Sequence, residues 1–137
     1  MEMTQAKQEY AAFLKGLSTE LITESKAKRA AGDQYEAVLD TIRLNVVNIF
    51  TQMFNKAQRD IDQKGGPLLE IYKAENDPAN VQLEKVYMGL LEKISGQWVE
   101  ALKEAKEFDD HDNITKEEAK IAMADQLHGQ FRQYFDL

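Results

Sequence analysis

The chain has 137 residues, no cysteine and a net charge of −7, with 43% apolar and 30% charged residues. That is enough chain for one domain, residues 1–137, with a core of its own. The missing cysteine excludes disulfides, thiol catalysis and cysteine-ligated zinc, and the negative charge works against binding nucleic acid or an anionic membrane.

No apolar run approaches the ~18 residues of a membrane span. The first ten residues lack the basic-then-apolar layout of a signal peptide, so a cytoplasmic protein is expected. The charge is uneven: residues 1–64 carry nine Lys/Arg and nine Asp/Glu, whereas residues 65–137 carry eight against fifteen.

The first predicted helix runs from about Thr4 to Ala31. Met3, Tyr10, Phe13, Leu14, Leu17 and Leu21 recur at threes and fours and form one stripe. After Ile22 the large apolar residues stop, so the last turns, with the basic knot Lys26, Lys28 and Arg29, are expected to be solvated before a stop at Gly32-Asp33.

The second helix, about Gln34 to Gln63, has the widest apolar face. Tyr35, Val38, Leu39, Ile42, Val46, Ile49, Phe50, Met53 and Ala57 share one side, and Val47, Phe54 and Ile61 add a second row. Such a helix either sits centrally in a bundle or offers its flank to another chain. Val47, Phe54 and Ile61 are therefore candidates for an interaction surface. Lys64-Gly65-Gly66-Pro67 marks the stop.

A short third helix, L-L-E-I-Y-K-A-E, leads to Asn76-Asp77-Pro78, where Asp77 suits an N-cap and Pro78 a first helical residue. The fourth helix runs to about Glu107 on a stripe from Leu83 through Tyr87, Leu91 and Trp98 to Phe108. Gly89 and Gly96 interrupt it at about 1 kcal/mol each against alanine, which points to a close neighbour at one of them. The fifth helix is expected from Lys116 to about Phe135, with Thr115 and Glu118 spaced as a capping box. Its Phe131 and Tyr134, like Tyr87 and Trp98, fall at core spacing.

Short links between long helices place them antiparallel. The expected fold is all-α: an up-and-down antiparallel four-helix bundle, with an additional short helix between the second and third long ones.

Catalytic signatures are sparse. Two histidines and three serines come with no nucleophile elbow, and Pro67 removes the N–H that a phosphate loop would need after Gly65-Gly66. A di-iron bundle needs two Glu-x-x-His units. Only Asp125-Gln126-Leu127-His128 approaches one, and His128 falls off the apolar stripe as a surface residue. Neither histidine sits inward for haem. No cofactor is expected.

The stretch E-F-D-D-H-D-N-I-T-K-E-E, residues 107–118, has two readings. Aligned on Ile114 it resembles an EF-hand calcium loop, which implies Glu107, Asp109 and Glu118 among the metal ligands. It departs from that pattern at Glu107, His111 and Asp112, the last standing where the loop uses glycine. The favoured reading is a capped linker, with Thr115 as N-cap and Ile114 as the apolar staple.

The expectation is a non-catalytic bundle, an adaptor, regulator or structural protein, that binds a protein partner or itself as a homodimer. The alternatives are a calcium- or metal-responsive module and a carrier of small apolar ligands. The acidic second half could also mimic nucleic acid towards a basic partner.

Overall fold

The computed structural model of the chain describes residues 2–63 and 66–137. Five helices follow one another: α1 (Met3–Ala30), α2 (Gln34–Asp62), α3 (Leu68–Ile71), α4 (Ala79–Glu107) and α5 (His111–Tyr134). The four long helices pack as an up-and-down antiparallel bundle, with α3 in the crossing between α2 and α4. No described helix is long and apolar enough to cross a membrane.

The turn from α1 to α2 takes three residues. Gly32 adopts φ +84°, its N–H donates to the Arg29 carbonyl, and the Asp33 N–H donates to the Lys28 carbonyl at 2.8 Å. This is the glycine-closed helix end expected at Gly32-Asp33. Asp33 then caps α2, accepting from the Glu36 N–H. Of the stop expected after α2, Lys64 and Gly65 lie outside the described residues.

At α4 the capping differs from expectation. Pro78 has extended backbone (φ −58°, ψ 156°), so it is the N-cap residue and the helix begins at Ala79. Asp77 instead pairs with Lys85 at 2.6 Å.

α2 packs against α1, α4 and α5, and this explains its wide apolar face. Val47 and Phe54, candidates for an interaction surface, are 0% and 1% exposed, and Ile61 packs partly buried against the same core. The second row and most of the first are consumed within the chain, because neighbours approach α2 from more than one side.

The two ends of the bundle differ in content. Where α1 and α4 begin and α2 and α5 end, the core is aromatic. Tyr10 meets Phe54 edge-on at 4.9 Å, and Phe131 stacks on Phe135 at 4.4 Å. Each such pair adds roughly 0.5–1.5 kcal/mol beyond its burial. Two hydroxyls sit among these rings. Tyr87 donates to the Phe50 carbonyl at 3.0 Å, and its oxygen lies 2.9 Å from that of Tyr10.

At the opposite end the core holds small and polar residues, Ala37, Ala105, Ala119, Ser25 and Asp40, beside Leu21, Leu39 and Trp98. Asp40 is 1% exposed and accepts from Lys28 at 2.6 Å and from Arg43 at 2.9 Å. The hydrogen bond to Asp40 holds the Lys28 ammonium above the usual lysine range. Arg29 donates to the Thr41 hydroxyl at 3.0 Å. The last turns of α1 are therefore tied to α2 through polar groups, where the sequence suggested a solvated end. A stripe search counts apolar residues and does not register a seam made of Ser25, Lys28, Asp40 and Thr41.

One of the two glycines of α4 has the expected close neighbour. A Cβ on Gly89 would enter the ring of Tyr72, whereas Gly96 faces open space. Gly89→Ala gains about 1 kcal/mol of helix propensity and loses roughly 1–3 kcal/mol to overpacking. It is expected to destabilise in wild-type background and to stabilise when Tyr72 is also alanine. Urea unfolding of the four proteins checks the change of sign.

Candidate interaction surface at the α4–α5 corner

α4 reverses into α5 through three residues, 108–110. The Asp109 N–H donates to the Lys106 carbonyl and the Asp110 N–H to the Ala105 carbonyl, the paired bonds that close a helix around a left-handed residue. That residue is Asp109, at φ +52°, where glycine is the usual choice because it has no Cβ to crowd the carbonyl. Asp110 then serves as N-cap of α5, accepting from the Asn113 N–H at 3.3 Å and from its amide at 2.6 Å.

Helix α5 thus starts at His111, five residues before the expected Lys116. Thr115 is inside the helix, its hydroxyl donating to the His111 carbonyl, and the predicted capping box is not used. Aspartate caps at least as well as threonine, and starting at Asp110 adds more than a turn of helical hydrogen bonds.

This geometry bears directly on the calcium-loop reading. An EF-hand ion is wrapped by a twelve-residue loop, but here residues 111–118 are helical. Glu107 is the last residue of α4, Asp109 turns its side chain to solvent beside His111, and Glu118 is exposed on α5. The helix holds the three carboxylates on separate elements, so no wrapping loop forms. Among the described residues, no group of three or more His, Cys, Asp or Glu is placed to hold a metal ion. Asp109→Gly is expected to raise stability by about 0.5–1 kcal/mol by relieving the left-handed backbone. Thermal unfolding checks this, and calcium at millimolar concentration is expected to leave the midpoint of both proteins unchanged.

The corner does carry an apolar residue in the open. Phe108, expected at the end of the α4 stripe, is 76% exposed. The helix ends one residue before it, so its side chain leaves the line of the stripe. It lines two shallow surface grooves. One, of about 930 Å³, runs along the outer face of α4 past Gly96, Gln97, Glu100, Glu104 and Glu107, with Lys93 and Lys103 also lining it. The other, of about 400 Å³, lies between α4 and α5 and includes Glu104, Asp110, Asn113 and Glu117. Tyr35, Val38 and Ile22, at 46%, 39% and 40% exposure, lie in the same half of the bundle. The first two were expected on the buried face of α2.

The charges around Phe108 are mostly negative. Residues 92–118 hold nine acids and four lysines, a net −5 of the chain's −7. Glu100, Glu104 and Glu107 recur at i, i+4 and i+7 on α4 and join no ion pair among the described residues. Like charges at that spacing repel by roughly 0.2–0.5 kcal/mol. Acids near a helix C-terminus oppose its dipole by a further ~0.3–1 kcal/mol. Glu117 is bonded to Lys120 through Oε1, while its buried Oε2 has no hydrogen-bond partner among the described residues.

The other histidine-bearing stretch is quiet. His128 is part-buried on α5, 3.0 Å from Glu84, which also accepts from Arg132. The signal for the corner was present in the sequence as a lone phenylalanine inside E-F-D-D-H-D, but helical spacing assigned that residue to the core stripe. Compared with known proteins, the chain matches no family model, no curated protein and no solved structure.

Proposed function

We propose that this chain is a non-catalytic helical-bundle protein that acts by binding another protein. The observation that carries the reading is Phe108, a large apolar side chain 76% exposed at a corner whose acids oppose helix stability. A non-catalytic role is supported by two buried polar clusters whose members satisfy one another. Tyr10 and Tyr87 share a hydrogen bond that ends on the Phe50 carbonyl, and Asp40 is held by Lys28 and Arg43. Crosslinking in the native cell, with native mass spectrometry of the purified protein, tests the reading. A crosslinked partner or a doubled mass is expected. A strict monomer that crosslinks to nothing would sink it.

A second reading, a carrier of small ligands with an apolar part, is favoured by a groove of about 510 Å³ whose apolar floor of Phe50, Tyr72, Met88, Leu91 and Ala124 is bordered by Lys85, Glu92, Asp125 and His128. That volume falls within the usual range of ligand sites, ~300–1,000 Å³. Titration with an apolar fluorescent dye tests it: a signal that Ala124→Phe does not reduce would dispose of the groove.

A further inference from the structure

The corner described above has two properties that select a partner by chemistry, and the inference drawn from them rests on the protein-binding reading. Phe108 offers an apolar anchor at the edge of both grooves. Glu100, Glu104 and Glu107, in no ion pair among the described residues, offer a negative stripe along α4 that leads to that anchor at helical spacing, with Lys103 beside it. We propose that the α4–α5 corner docks a basic amphipathic helix of a partner protein, whose apolar face covers Phe108 and whose Lys or Arg side chains meet these carboxylates.

Charge complementarity favours this occupant over the others. A second copy of the chain brings the same −7 and repels at the surface where the acids are densest. Nucleic acids and anionic membranes are repelled for the same reason. A helix suits the groove because an amphipathic helix presents apolar anchors at i, i+3, i+4 and i+7, the same periodicity on which α4 displays its acids. Basic side chains on the partner would also ease the like-charge repulsion along α4.

The test uses the full chain and a defined probe: a fluorescent amphipathic peptide of Leu, Ala and Lys with one leucine face. A peptide of the same composition, scrambled to have no apolar face, is the control. Fluorescence anisotropy at low salt reads the affinity. Phe108→Ser removes the anchor, and Glu100→Gln/Glu104→Gln/Glu107→Gln removes the stripe. All four positions are exposed, so both variants are expected to fold.

The expected result is binding that weakens at least ~10-fold in each variant, with the scrambled peptide and with added salt, a factor of ten corresponding to about 1.4 kcal/mol. No binding to wild type overturns the proposal. Binding that Phe108→Ser leaves unchanged also overturns it, since attraction is then general and has no anchor. A doubled mass abolished by Phe108→Ser overturns it in favour of a homodimer face. If cell crosslinking finds a partner while the peptide fails, protein binding stands and the basic-helix assignment falls.

Discussion

Phe54→Ala is expected to lower the free energy of unfolding by about 3–5 kcal/mol, whereas Phe108→Ser should change it by no more than ~0.5 kcal/mol. The two phenylalanines carry opposite roles. Phe54 is 1% exposed and meets the rings of Tyr10, Tyr87, Phe131 and Phe135. Truncation removes its own transfer free energy and leaves a cavity that four rings, drawn from three other helices and the C-terminal segment, cannot all close. A domain of this size is stable by roughly 5–15 kcal/mol, so the variant should still fold in dilute buffer and lose much of its urea resistance. Linear extrapolation from urea titrations measures both changes. A loss under 1 kcal/mol for Phe54→Ala would mean that the second row of α2 faces outward after all.

Tyr87→Phe is expected to cost about 1–3 kcal/mol, and Tyr10→Phe distinctly less. The direction of the hydrogen bonds sets the asymmetry. The Phe50 carbonyl can only accept, so Tyr87 donates to it and accepts from Tyr10. Removing the Tyr87 hydroxyl leaves that of Tyr10 buried with no acceptor, at the full desolvation cost. Removing the Tyr10 hydroxyl leaves Tyr87 still bonded to Phe50. The double variant should recover most of the Tyr87→Phe loss, because two apolar groups of the same shape need no partners. A double-mutant cycle measures this coupling.

The same pair responds to alkali. Burial pushes both phenols above the ordinary tyrosine range. Their contribution to stability is fully present below pH ~10, the ordinary phenol value. It is lost as pH rises further, because the unfolded chain releases protons that the folded chain keeps. The limiting slope for two groups is about 2.7 kcal/mol per pH unit. Tyr10→Phe/Tyr87→Phe should flatten it, as unfolding curves between pH 9 and 11 would show.

Much of this molecule is legible in the residues themselves. The apolar stripes of α1, α2, α4 and α5, the stop at Gly32-Asp33 and the short third helix follow from local rules of spacing and capping. Those rules act within a few residues, so they can be read along the chain. The antiparallel bundle follows in turn from short links. Gly89 shows the limit of such reading: its cost in a helix signals a close neighbour, but only the fold supplies Tyr72.

The tertiary structure decided what depends on contacts distant in sequence. Val47 and Phe54 are core because α2 touches every other long helix, and a wheel cannot count neighbours. The polar seam of Ser25, Lys28, Asp40 and Thr41 joins two helices across a turn. At the α4–α5 corner, both Asp110 and Thr115 can cap a helix. The choice of Asp110 came from the chain reversal that Asp109 permits, and it turned a candidate loop into helix. That same reversal begins just past Glu107, where α4 ends as expected, and leaves Phe108 facing solvent among acids. Local sequence set the elements; which faces were covered was set by how many helices meet at each side.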